Sequence, residues 1–218
     1  MLRSGRLLTL DEDAVQLAAA GLIRLGVHQR GDTTTGAAAW QTRAGSFAHA
    51  WLAFGDTPGG PGLRVPATAV LRSLVHSSAQ LLIRAHDGHR PAVLEWLGLR
   101  SAQAREQAHH AQVTHPAQPT ALALVWHGVQ ALTTDGEPGH HQRIDERYEA
   151  YIREHHHRQD TLALILACAR LAATTLTELN RHHPHQTDEH LNEHTARHLP
   201  LHTPAPHWVP ARPPQPTT

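Results

Sequence analysis

Two adjoining stretches decide the fold: His140–Asp160, HHQRIDERYEAYIREHHHRQD, and Thr161–Leu179, TLALILACARLAATTLTEL. The first is charged with a narrow apolar stripe, since Ile144, Tyr148, Tyr151 and Ile152 fall at i, i+4, i+7 and i+8. That spacing is the period of an amphipathic helix. The second is the most apolar run in the chain and is rich in Ala and Leu, both good helix formers. No Pro or Gly interrupts either. One helix of ~40 residues would be ~60 Å long, and a break near Arg158-Gln159-Asp160 is the alternative; the sequence leaves both open.

Working outward, the same helical period recurs. Thr9-Leu10-Asp11-Glu12 has the form of a capping box. Behind it Val15, Ala18, Ala19, Leu22 and Ile23 make one apolar face, which predicts a helix over about 10–29 ending at Gly31. Residues 31–45 read as a Gly- and Thr-rich connection. A short helix is expected over 46–54, and GDTPGGPG at 55–62 is a loop. That loop does not qualify as a phosphate cradle, because its prolines remove N–H donors and no strand precedes it. Pro66 opens a helix carrying Val70, Leu71, Leu74, Val75, Leu81 and Leu82. A brief helix over 91–97, a polar helix capped by Ser101, and an apolar helix over 120–132 follow.

After Pro184, Thr187-Asp188-Glu189 starts a short helix to about His198. From Pro200 onward seven of 19 residues are Pro, which predicts a disordered or polyproline tail. The expectation is therefore an all-α, irregular bundle of six to eight helices built on a long C-terminal helix. The helices near 10–29, 66–86, 119–133 and 161–180 would form its core. Residues 1–181 would be the bundle domain, 182–199 a His-rich short helix and 200–218 the tail.

Composition narrows the chemistry. The 218 residues carry 19 basic and 19 acidic side chains, and every basic one is Arg. Without Lys there is no Walker A loop and no Schiff base. The single Cys168 excludes an internal disulfide and reads as a small buried hydrophobe. The N-terminal apolar piece, Leu7–Leu10, is too short for a signal peptide. The uncharged run Thr161–Ala169 is far short of a membrane span. A cytoplasmic location is expected.

The 22 histidines are the anomaly. His190, His194 and His198 are spaced by one helical turn and form one imidazole row, which could hold Zn²⁺ or another divalent transition metal. His190-Leu191-Asn192-Glu193-His194 has the H-x-x-E-H form in which Glu193 would serve as general base. Against catalysis, no Asp or Glu follows Glu193 as a further ligand, and eight His in residues 182–207 make the pattern cheap to meet by chance. Glu-x-x-His pairs at Glu106/His109, Glu137/His140 and Glu154/His157 invite a di-iron reading. However, Glu137 lies in a Pro-Gly turn and Glu154 falls opposite the apolar stripe. His155-His156-His157 spans ~200° of helix and cannot converge on one ion. Scattered Arg matched by acids gives no basic stripe for nucleic acid.

No catalytic residue is assigned. The expected function is a non-catalytic binding or regulatory module acting through a protein partner or self-association. The alternatives are a divalent-metal protein using the His-rich C-terminal region and a DNA-binding regulator.

Overall fold

The computed structural model describes residues 12–28, 35–53, 65–112, 116–132, 138–155 and 157–198. Among them are eight helices: α1 (Glu12–His28), α2 (Thr35–Trp51), α3 (Ala67–Ala85), α4 (Arg90–His110), α5 (Ala117–Ala131), α6 (Pro138–Glu154), α7 (Arg158–Leu179) and α8 (Pro184–His198). Thr9 of the expected capping box, the loop at 55–62 and the Pro-rich tail lie outside the described residues.

The axis of the molecule is α7. It packs against α1, α3 and α5, and α3 in turn packs on both α1 and α5. These are the four helices whose sequences were expected to form the core. Leu164, Ile165, Cys168, Ala169, Ala172 and Leu176 of α7 are all buried. They meet Leu22 of α1, Leu74 and Val75 of α3, and Leu124 of α5 in one continuous cluster. Fully burying one such Leu stabilises the fold by about 1.5–3 kcal/mol. Small residues let the helices approach closely. A Cβ added at Gly128 of α5 would sit 2.9 Å from Val75 Cγ1 and 3.4 Å from the Val75 carbonyl.

By length and composition α7 is long and apolar enough to cross a membrane. The uncharged run of nine residues had suggested otherwise. Arg170 and Glu178 interrupt the sequence but sit on its exposed side, while half of the apolar stretch is buried inside the bundle.

The other helices are applied to this core. α4 and α6 lie on α5, α8 on α1, and α2 on α1. α6 and α7 are the two halves of the long stretch: the first helix ends at Glu154 and the second begins at Arg158. No Pro or Gly is needed for this. Histidine is a poor helix former, and His157, extended at ψ 135°, takes the position before α7. Its carbonyl accepts from the Asp160 N–H at 2.9 Å, and Asp160 in the first turn suits the helix dipole. Tyr151 spans the break: its ring is buried, and its hydroxyl donates to the Asp160 carbonyl at 3.3 Å.

Three local expectations are corrected. α2 begins at Thr35, inside the stretch read as a connection; Ala37, Ala38 and Ala39 favour helix enough to override Gly36 and the threonines. The two helices expected around Leu97–Ser101 are one. Gly98 is interior to α4, and Ser101 is a buried core position, not a cap, that accepts from Arg105 Nη2 at 3.0 Å. A mid-helix Gly costs only about 1 kcal/mol, and Val93, Leu97, Ser101 and Ala104 carry one buried face across it. Finally, Leu52–Ala53 (β1) and Val65–Pro66 (β2) form a two-residue parallel pair joining the end of α2 to the start of α3.

The α3–α4 turn closes as a Schellman motif. The Gly88 N–H reaches the Ile83 carbonyl at 2.8 Å and the Asp87 N–H the Arg84 carbonyl at 3.1 Å. Asp87 (φ 51°) and Gly88 (φ 80°) both adopt left-handed conformations there.

Candidate functional site

The predicted histidine row lies on α8, which runs unbroken from Pro184 to His198. Pro184 supplies a ready-made first turn. Thr187 and Leu191, one turn apart, are the buried face. Thr187 Oγ1 accepts from Asn180 Nδ2 at 3.2 Å, and Asn192 Oδ1 accepts from Arg24 on α1 at 2.6 Å. These contacts fix α8 against α1 and the end of α7. His190 is half-buried and faces into the bundle, on the wall of a cavity that Arg84 also lines. The side chains of Glu193, His194 and His198 lie outside the described residues. Among the described residues no three His, Cys, Asp or Glu side chains converge as a metal site.

Among the described residues the Glu-x-x-His pairs do not assemble. Glu106 and His109 are exposed on α4. Glu154 ends α6 and His157 precedes α7, so the chain break parts them. Glu137 lies outside the described residues.

A second histidine group was not anticipated. It lies where α6 meets α5 and α3. His127 projects from the otherwise apolar α5, beside Trp126 in an edge-on contact at 5.1 Å. His127 Nδ1 and His140 Nδ1 are both buried without a hydrogen-bond partner. Burial, followed by Arg147, Arg143 and His140, pushes His127 down from 6.5 to about 4. Nearby, His76 of α3 stacks on His141 of α6 at 5.2 Å, and Arg72 donates to Asp145 at 2.6 Å. The sequence did carry one signal for this group, a lone His in ALALVWHGV, the core stretch of an apolar helix.

Two further buried groups are structural. Burial pushes the Cys168 thiol up to about 12, so it is not an activated nucleophile. Burial, and then Asp160, raises Tyr151 to about 12.

Concave surface is found at the α8 end. An open groove of ≈ 640 Å³ runs between the ends of α1 and α7 and the start of α8. Val27 and Pro184 give it apolar floor, and Glu178, Arg181 and Asp188 give it charge of both signs. A separate, smaller cavity of ≈ 60 Å³ lies under α8, between α1, α3 and α7.

Comparison with protein-family models, curated proteins and solved structures returned no similar protein. The arrangement itself offers recognition chemistry: a mixed-charge groove, a donor-lined cavity and histidines set beside arginines.

Proposed function

We propose that the protein is a non-catalytic, cytoplasmic helical module that works by binding a protein partner or a second copy of itself through the groove between α1, α7 and α8. One observation carries this reading. The groove is open, its ≈ 640 Å³ lies in the size range of ligand-binding clefts (~300–1,000 Å³), and it combines Val27 and Pro184 with Glu178, Arg181 and Asp188. Apolar floor with charged rim of both signs suits a polypeptide surface better than a metabolite of single charge. The test is sedimentation velocity from about 1 to 200 µM, alone and with any purified partner, using wild type and Val27→Asp/Arg181→Glu. Association that the double variant weakens supports the reading. A protein that stays monomeric, with no partner sensitive to the substitutions, overturns it.

A second reading is divalent-metal binding by His190, His194 and His198. Its support is the continuity of α8, which sets the three residues one turn apart. Its weakness is that His190 shares a cavity wall with the cation Arg84. Elemental analysis of untagged protein decides it: stoichiometric metal lost in His190→Ala/His194→Ala supports the reading, and metal content unchanged by those substitutions refutes it.

A further inference from the structure

The cavity under α8 stands apart from the groove and has a distinct chemistry. Along α3, Ser77, Gln80 and Arg84 fall at i, i+3 and i+7, so one helical face presents all three to it. Opposite, on α1, Gln16 accepts a hydrogen bond from Ser73 Oγ at 2.9 Å through its carbonyl oxygen. Its amide N–H groups are what it has left to offer. Among the described residues the side chains of Ser77, Gln80 and Arg84 have no hydrogen bond or ion pair. Among the described residues no carboxylate lines the cavity, and its other walls are apolar, with Ala19, Ala20, Ile23 and Leu176 among them. Ala19 and Ala20 leave the space that larger residues would fill. α8 covers it with His190 and the buried Leu191, and α8 is itself held by the Arg24–Asn192 and Asn180–Thr187 bonds.

We infer that this cavity is a binding site for a small monocarboxylate, whose oxygens meet the Arg84, Gln80 and Ser77 donors and whose alkyl end lies against the alanine and leucine walls. The volume of ≈ 60 Å³ sets the size. At ~10–15 Å³ for each water-sized group, it admits about four to six heavy atoms, a range that begins with acetate. Arg supplies charge and paired donors suited to a carboxylate. Because α8 forms the cover, binding and α8 docking are linked, and a bound ligand slows amide exchange in α8.

The experiment is isothermal titration of the full chain with sodium acetate at pH 7.5 and fixed ionic strength. Acetamide serves as the uncharged isostere and nitrate as a planar oxyanion without the methyl group. Saturable one-to-one acetate binding is expected, with no acetamide binding and weaker nitrate binding. Arg84→Gln, at an exposed position, is expected to weaken acetate binding about tenfold or more. Ala20→Leu, which fills the cavity, is expected to abolish it with the helical circular dichroism preserved. Absence of saturable acetate binding overturns the inference. So does acetate binding unchanged in Arg84→Gln, or nitrate binding as tight as acetate. None of these results bears on the groove, whose test is association state.

Discussion

The His127 environment makes a quantitative prediction about acid. In the unfolded chain this imidazole titrates near 6.5, and in the fold near 4. Above pH 6.5 it is neutral in both states and contributes no pH dependence. Between 6.5 and 4 the unfolded chain binds a proton that the native state refuses, so stability falls as pH falls. Below 4 both states are protonated and the loss levels off. About two and a half pH units at ~1.4 kcal/mol each set a ceiling of about 3.5 kcal/mol. The ring is only half-buried, so solvent screening reduces this to roughly 1.5–2 kcal/mol. The groups acting on it among the described residues all lie on α6: the cations Arg147 and Arg143, and His140 when protonated.

The perturbation is His127→Gln, which removes the titrating group and keeps a polar side chain. Urea unfolding followed by circular dichroism at pH 7.5 and pH 4.5 gives the stability lost on acidification. Every other histidine is common to both proteins, so their effects cancel in the comparison. His127→Gln should lose about 1.5 kcal/mol less than wild type. An equal loss in the two proteins, or an NMR titration placing His127 near 6.5, refutes the reasoning. Arg147→Gln provides an independent check. Removing that cation should raise the His127 titration point without abolishing the step.

Three other outcomes follow from the packing. Gly128→Ala brings a methyl group to 2.9 Å from Val75 and should destabilise by about 1–2 kcal/mol, the overpacking cost outweighing the ~1 kcal/mol gain in helix propensity; thermal unfolding measures it. Leu124→Ala, at the centre of the α3–α5–α7 contact, should cost about 2–5 kcal/mol in urea unfolding without loss of the helical spectrum at low denaturant. Cys168 should react with a thiol reagent only as fast as the bundle opens, since it is buried with its thiol raised to about 12; prompt native-state labelling at pH 8 would contradict its placement.

How far the sequence revealed this molecule depended on which physical signal was local. The four core helices were legible because each holds an apolar face at the helical period over three or more turns. α7 shows it most clearly, with Leu164, Ile165, Cys168, Ala169, Ala172 and Leu176 all buried. Boundaries governed by tertiary contact were not legible. Gly98 looks like a stop until α5 is there to receive Val93, Leu97, Ser101 and Ala104 together. The α6–α7 break has no Pro or Gly signal. It rests on histidine's modest helix propensity and on Tyr151, whose packing and hydrogen bond to the Asp160 carbonyl tie the two sides together.

The same distinction separates the histidines. The row at His190, His194 and His198 drew attention because spacing is visible in one dimension. Yet His190 shares its surroundings with Arg84, Gln80 and Gln16, residues roughly 100 to 170 positions away. An imidazole's role is set by what faces it. Held down first by burial and then by Arg147 and Arg143, His127 is kept neutral; stacked on His76, His141 bridges two helices. Neither partner set can be read from local spacing, because each is assembled from helices that only the α7 core brings together. Histidine abundance is therefore not evidence for one site. The fold distributes these side chains among different environments, and each environment has its own measurable consequence: a depressed titration at His127, an anion-sensitive cavity at His190, and solvated polar surface at His109 and His110.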